Sequence, residues 1–175
     1  MISQISLSNT TYFKLFIGKR VLKEDIYKSN GGIPIYSANV FKPLGYADTT
    51  TITNFQHTYL LWGIDGKFEF NIKHKGEKFE TTDHCGAIEI LDDDIVAEYL
   101  LYQLRIKELG YSFTNKLGSG KLGKIEITLP VGADGKPSLD KQLELRKMYE
   151  KVDKIKLNMV ENLQGLEAVN VELSS

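Results

Sequence analysis

Residues that could act on a phosphate lie together near the end of the globular part of the chain. Gly118-Ser119-Gly120-Lys121 is similar to part of a phosphate-binding loop. However, Leu122 occupies the place of the Ser or Thr that binds magnesium in such a loop, and Asn115 occupies the place of its first glycine. The segment therefore does not predict nucleotide hydrolysis.

Two short segments match the Asp-x-Lys half of a metal-dependent nuclease site. They are Asp65-Gly66-Lys67 and Asp134-Gly135-Lys136. A nuclease site needs a further carboxylate on a neighbouring strand, whereas Asp-Gly is a common turn sequence. We interpret both segments as turns and keep a metal nuclease as an alternative.

His84 and Cys85 are the pair that could supply an imidazole and a thiol nucleophile. Adjacent side chains on an extended segment point to opposite faces, so this pair cannot easily form. We therefore interpret Cys85 as a small buried hydrophobic residue. The three histidines and one cysteine are too widely spaced for a zinc site, and a dinucleotide-binding glycine motif is absent. The sequence predicts no catalytic residue, no metal and no cofactor of its own.

Composition is that of an ordinary globular protein. The chain has 175 residues, 42% hydrophobic and 26% charged, and a net charge of −1. It shows no apolar run long enough to span a membrane and no signal peptide at Met1–Gln4. A single cysteine allows no internal disulfide. We expect a cytoplasmic protein that does not associate with membranes.

Basic residues are concentrated in three segments. These are Lys14, Lys19, Arg20, Lys23 and Lys28; Lys67, Lys73, His74, Lys75 and Lys78; and Lys116, Lys121 and Lys124. If the segments converge in space, they form one positive surface on a nearly neutral protein. The alternative is that these side chains are simply the solvated exterior.

The elements that must position these residues are mainly strands. β-formers and alternation predict strands within Tyr12–Ile17, Ile33–Ser37, Thr51–Trp62, Phe68–Ile72, Gly86–Leu91 and Lys124–Pro130. Asp65-Gly66 predicts a hairpin turn, and Ile95–Leu109 an amphipathic helix that ends near Gly110. We expect Trp62, Phe68, Phe70 and the tyrosines to lie in the core. The predicted fold is α+β, with a mainly β globular head, one helix packed on it and one long C-terminal helix.

The C-terminal helix is predicted from Pro137 to about Val169, with Ser138 as N-cap and Asp140 in the first turn. Roughly 32 residues span about 48 Å. Its first turns can fold back on the head, whereas the rest needs a partner helix; the alternative is a helix docked wholly along its own domain. We expect domains at 1–136 and 137–175. The predicted partner face follows the 3-4 spacing of a coiled coil and comprises Leu145, Met148, Val152, Ile155, Met159, Asn162, Leu166 and Val169.

Taken in order, several segments resemble a target recognition domain with its adjoining conserved helix, as found in specificity subunits of type I restriction-modification systems. The matching segments are Phe16–Arg20, Gly31–Asn39, Leu60–Gly66, His84–Gly86, Glu98–Tyr102, Lys121–Ile125, Ile127–Pro130 and the stretch from Gly135 to Gln142. Similar domains occur at the ends of fused restriction-methylation enzymes, so a fragment of one is an alternative. This chain has one head and one helix, whereas the usual subunit has two of each.

The resemblance implies a non-catalytic subunit that reads double-stranded DNA, probing half of a bipartite site and pairing through its helix with a second copy or a second recognition domain. Methyltransferase (modification) subunits would bring S-adenosylmethionine and DNA adenine methylation, and restriction subunits would cleave. A protein-protein adaptor that dimerises through its helix is the alternative from another class. The residues expected to contact DNA are Lys19, Arg20, Ser37, Asn39, Lys42, Lys67, Lys73, His74, Lys75, Asn115, Lys116, Ser119 and Lys121.

Overall fold

The computed structural model describes residues 1–22, 24, 26, 31–65, 69–106 and 116–173. Within these ranges the fold is α+β, as predicted. The strands are β1 (Ile2–Ser6), β2 (Phe13–Ile17), β3 (Ile33–Tyr36), β4 (Gly45–Ala47), β5 (Thr58–Gly63), β6 (Phe70–Lys73), β7 (Glu80–Thr81), β8 (Cys85–Ile90) and β9 (Glu126–Pro130). The helices are α1 (Ala97–Ile106), α2 (Ser119–Leu122) and α3 (Leu139–Leu173).

The central sheet has four antiparallel strands in the order β2-β8-β5-β6. The predicted hairpin is confirmed, because β5 pairs with β6 and places Trp62 opposite Phe70. Gly66 and Phe68, in the predicted turn and strand, lie outside the described residues. The strand predicted from Thr51 begins only at Thr58, and before it the carboxylate of Glu80 accepts hydrogen bonds from the backbone of Thr51 and the hydroxyl of Thr50.

Both faces of this sheet are covered. Alternate residues of a strand point to opposite faces, so Leu60 and Trp62 join one hydrophobic core and Tyr59 and Leu61 join another. The first core lies towards α1, β1 and β9, and the second towards β3 and β7. This explains why every residue of β8 is buried.

The strand β1 was not predicted, because its isoleucines and serines carry no strong local signal. It pairs antiparallel with β9, more than 120 residues away, with Gln4 opposite Thr128. Side chains of α1 form hydrogen bonds with the backbone of β9. The hydroxyl of Tyr99 donates to Thr128 O at 2.6 Å, and Thr128 N donates to Gln103 Oε1 at 3.3 Å. Helix α1 therefore fixes the position of the small sheet.

A third sheet has the order β4-β3-β7, in which β3 runs parallel to β7. The short strands β4 and β7 were not predicted, because two or three residues are too few to show a period. Tyr46 in β4 is exposed, so the prediction that the tyrosines lie in the core is wrong at this position, whereas Tyr59 and Tyr99 are buried. Tyr46 is the middle residue of a three-residue strand, and the residues on either side of it are half-buried.

Helix α3 has 35 residues and is roughly 52 Å long at 1.5 Å per residue. Its N-terminal turns lie on the head, where Leu143, Leu145 and Tyr149 pack against the first core. From Lys151 to Leu163 every residue is exposed. Among the described helices, none combines the length and the apolar character needed to cross a membrane.

Candidate nucleic-acid interface

One end of the central sheet gathers several of the predicted residues. Because Gly63 at the end of β5 pairs with Cys85 at the start of β8, Asp65 and His84 face each other just beyond the sheet. His84 Nδ1 lies 2.5 Å from Asp65 Oδ2, and Lys116 Nζ lies 3.1 Å from Asp65 Oδ1. The Asp65 side chain is 6% exposed, whereas His84 is 48% and Lys116 is 55% exposed. A buried carboxylate thus holds two side chains that reach the surface.

The two partners also determine the charge state of this carboxyl group. Burial by itself would raise the pKa of Asp65, but hydrogen bonds from His84 and Lys116, together with the positive charge beside it, hold that pKa below its ordinary value. Asp65 is therefore ionised at neutral pH. These contacts stabilise the folded protein fully at pH values above the pKa that Asp65 has in the unfolded chain. The stabilisation is lost as the pH falls through the lower pKa that Asp65 has in the folded protein.

Lys19 and Arg20 leave the sheet at the same end. They follow β2, whose last residue pairs with Gly86, and both are exposed. Gly18 allows this exit: a Cβ there would lie 1.8 Å from the carbonyl oxygen of Thr81, so only glycine fits. The backbone that leads to the two basic residues thereby passes close to Thr81, at the end of β7 and shortly before His84.

The loop 37–42 is held against the same region by its neighbours. Thr82 Oγ1 lies 3.0 Å from Ser37 Oγ and donates to it, and Asn71 Nδ2 donates to Val40 O at 2.7 Å. Asn39 Oδ1 accepts the backbone N–H groups of Phe41 and Lys42, each at 2.9 Å, so this side chain shapes the turn that presents Lys42. Ser37, Asn39 and Lys42 are thus carried by one ordered loop.

Lys73 contacts the residue that immediately precedes this loop. Its ammonium donates to the hydroxyl of Tyr36 at 2.7 Å and lies 4.2 Å from the centre of the Tyr36 ring. A cation in this position is stabilised by the ring. Lys73 therefore braces the residue that precedes Ser37.

The segment that begins at residue 116 carries Lys116, Ser119 and Lys121. It is anchored to β5, because Leu117 N donates to Ile64 O and Trp62 Nε1 donates to Leu117 O at 2.8 Å. Gly118 is the N-cap of the single-turn helix α2, which contains Ser119, Gly120 and Lys121, and Lys121 Nζ donates to Lys116 O at 3.1 Å. The ammonium groups of this segment consequently lie near the Asp65 end of the sheet.

His74 and Lys75 lie at the other end. They follow Lys73, which pairs with Tyr59 near the start of β5, and at about 3.3 Å per residue Tyr59 is roughly 20 Å from Asp65. Lys75 Nζ forms an ion pair with Asp93 at 2.6 Å. The structure thus places Lys19, Arg20, Ser37, Lys116 and Lys121 towards the Asp65 end of the sheet, and His74 and Lys75 at the other end. Lys67 and Asn115 lie outside the described residues.

Sequence reasoning did not select His84 as a contact residue. The signal that could have indicated this contact is strand pairing. If β5 and β8 are antiparallel neighbours, a residue just after β5, such as Asp65, lies near a residue just before β8, such as His84. As expected, the His84 ring is not paired with the Cys85 thiol, which is fully buried and whose pKa is raised to about 12 by burial. Cys85 is a core residue on the face opposite to His84.

The predicted partner face of α3 divides into two parts. Leu145 lies half-buried against the head, so in this structure it belongs to the contact between helix and head. Met148, Val152, Ile155 and Met159 are 46–60% exposed, and Asn162 is exposed. The side chains of Leu166 and Val169 lie outside the described residues.

Several known proteins are similar to this chain. A putative type I specificity subunit N-terminus from Mycoplasma pneumoniae is 28% identical over 115 residues, which cover 62% of this chain and 60% of that protein. Among solved structures, the type I restriction-modification S subunit from M. genitalium superposes with a TM-score of 0.63 at 16% identity over 96% of this chain and 43% of that one. The HsdS subunit from Thermoanaerobacter tengcongensis superposes with a TM-score of 0.65 at 13% identity over 87% and 37%.

The chain therefore spans less than two thirds of the length of these relatives, and the two superpositions show a shared fold. The family model for the type I restriction modification DNA specificity domain matches residues 13–164. Among the described elements, this match includes every strand except β1, together with most of α3. The chain belongs to the family of type I restriction modification DNA specificity domains.

Proposed function

We propose that this chain reads the sequence of double-stranded DNA for a type I restriction-modification complex. Its family membership is the observation that carries the proposal, and the gathering of Lys19, Arg20 and Lys116 with Ser37 at one end of the sheet supports it. Basic side chains would contact phosphates and set the register, and short polar side chains on loops would meet base edges in the major groove.

The chain would act as a non-catalytic component. Methyltransferase subunits would supply S-adenosylmethionine and methylate adenine, and restriction subunits would cleave. The engagement of Asp65 by His84 and Lys116 fits this division, because a carboxylate whose two oxygens already face an imidazole and an ammonium group is a poor ligand for a catalytic magnesium ion.

We further propose that residues 1–136 form the recognition domain and 137–175 the spacer helix. The exposed apolar side chains of α3 from Met148 to Met159 would cover those of a second copy or a second recognition domain. Two heads related by two-fold symmetry would then read an inverted repeat with a gap, half of the site each. The same helix face would suit an adaptor that dimerises without DNA.

Selection of bound duplexes from a random pool tests the proposal, with the full chain and its methyltransferase subunits present. We expect a bipartite inverted-repeat consensus and binding that weakens steeply as salt rises. The methyltransferase subunits alone serve as the control and should enrich no consensus. A pool that stays random with the complete complex would overturn sequence reading, and an absence of salt-dependent duplex binding would favour the adaptor.

A further inference from the structure

The cluster formed by Asp65, His84 and Lys116 has an unusual distribution of exposure. The carboxylate is buried at the end of β5, whereas the imidazole and the ammonium group that contact it both extend to the surface. Buried charges require partners, because an ionised carboxylate in an apolar environment is strongly destabilised. Asp65 therefore restrains the exposed side chains of Lys116 and His84, which would otherwise sample several rotamers.

This restraint has a consequence for anion binding. An exposed lysine that contacts a phosphate loses rotamer freedom on binding, and a side chain already ordered in the free protein loses less. Asp65 Oδ1 contacts the ammonium group of Lys116 and Asp65 Oδ2 contacts the ring of His84, so the carboxylate restricts the rotamers of both side chains. Lys121 adds to this order, because its ammonium group donates to the backbone carbonyl of Lys116.

The His84 ring lies between two acidic side chains. His84 Nε2, on the far side of the ring from Asp65, lies 3.9 Å from Asp83 Oδ1, and the Asp83 side chain is 46% exposed. The cluster thus contains one buried acid that makes close contacts and one exposed acid that does not. Asp65 and Asp83 have the same charge and lie close together, so they allow a matched comparison.

Resting on the proposed function, we propose that Asp65 is a positioning residue that holds Lys116 and His84 as one contact for a phosphate of the DNA backbone. The Lys116 ammonium offers N–H groups that phosphate oxygens accept, and His84, whose Nδ1 faces Asp65, donates to a phosphate from Nε2 in its doubly protonated form. The contact sets register and carries no sequence information. Asp65 itself does not touch the DNA.

Neutralising Asp65 is expected to change DNA affinity in the direction opposite to that of simple electrostatics. Removing a negative charge from a DNA-binding surface ordinarily strengthens binding. We expect Asp65→Asn to weaken binding of a random-sequence duplex by about fivefold, because Lys116 and His84 lose their common anchor. Asp83→Asn is the control, and it should leave the affinity unchanged or raise it.

Measurement of affinity against salt concentration separates positioning from a merely structural effect. Lys116→Met should lower the slope of log affinity against log salt by roughly 0.9, equally for AT-rich and GC-rich duplexes. In the background of Lys116→Met, Asp65→Asn should cause a smaller further loss than it causes alone. Lys116 is exposed, so this variant keeps the test valid even if Asp65→Asn folds poorly.

Two results would overturn the inference. One is duplex binding by Asp65→Asn, shown to be folded by circular dichroism, that is as tight as wild type or tighter. The other is an unchanged salt slope for Lys116→Met, or a loss confined to one of the two duplex compositions. If the wild-type complex fails to bind any duplex, the proposed function fails instead.

Discussion

Gly86 is a residue whose identity is dictated by a neighbouring side chain. It pairs with Trp62 across β8 and β5, and a Cβ at this position would lie 2.2 Å from atoms of the Trp62 ring. Trp62 is fully buried, and its ring N–H donates to Leu117 O, next to Lys116. The ring therefore cannot move aside without disturbing the segment that carries Lys116.

We expect Gly86→Ala to lower the free energy of unfolding by about 2 kcal/mol, because the added methyl group overpacks the core against an aromatic ring. Chemical denaturation measures this change. Gly32→Ala is the matched control, since a Cβ at Gly32 meets nothing within 4 Å, and it should change stability by less than about 0.5 kcal/mol. Equal stabilities for the two variants would contradict the packing described for Trp62.

Residue types alone predicted some of the positions of individual side chains, but not their long-range contacts. The aromatic residues Trp62 and Phe70 are buried as expected from their type and from the strand alternation. Asp65 was interpreted as a turn residue, and its contacts with His84 and Lys116 join positions 19 and 51 residues away. No local pattern contains a contact of this kind.

At the scale of elements, the first turns of α3 are fixed by a buried glutamine. Gln142 is fully buried; its Oε1 accepts Val96 N at 3.1 Å, and its Nε2 donates to Asp94 O at 2.7 Å. A second buried glutamine, Gln103, donates to the hydroxyl of Tyr149 at 2.8 Å. Two side-chain amides thus hold α3 against α1 and the segment before it, one near each end of the contact.

We expect Gln142→Leu to reduce the free energy of unfolding by about 2–4 kcal/mol, because Val96 N and Asp94 O lose their hydrogen-bond partner in a buried setting. Lys141→Leu is the control, since this neighbouring side chain is exposed, and its effect should stay below about 0.5 kcal/mol. Urea denaturation of both variants checks the difference. A loss for Gln142→Leu no larger than that for Lys141→Leu would show that the amide does not hold the helix.

The elements themselves were predicted to different degrees. The long helix, the hairpin of β5 and β6 and the helix α1 follow from periodicity and turn residues, and all three are present. β4 and β7 were not predicted because they are too short to show a period, and β1 was not predicted because its residues carry no strong local signal; each of the three pairs with a strand distant or separate from it in the chain. Helix α1 ends at Ile106 among the described residues, and the predicted end near Gly110 lies outside them.

At the scale of the whole molecule, α3 extends past the head as an exposed amphipathic helix. Several apolar side chains beyond the contact with the head are exposed, and they follow the 3-4 spacing of a coiled-coil seam. Burial of a large apolar side chain stabilises an assembly by about 1.5–3 kcal/mol. This exposed surface therefore favours pairing with another helix.

We expect the full chain to form a dimer, and the double variant Ile155→Glu/Met159→Glu to weaken dimerisation at least roughly a hundredfold, because four apolar side chains per dimer are replaced by charges. Light scattering over a range of concentrations measures the mass. Leu157→Glu is the control, because Leu157 is equally exposed but lies off the 3-4 seam, and it should leave the dimer intact. A wild-type mass that remains that of the 19.8 kDa monomer at every concentration would contradict pairing with a second copy.

By itself, the sequence determined the fold class, the long helix and the general location of the exposed apolar seam, because these depend on periodicity and on turn and capping residues within a few positions of one another. Only the tertiary structure decided that Leu145 faces the head, that His74 and Lys75 lie roughly 20 Å along the sheet from Asp65, and that Asp65, His84 and Lys116 meet. Those outcomes depend on which strands become neighbours. Strand pairing joins residues far apart in the chain, and the free energy that selects it comes from burying both faces of the central sheet at once.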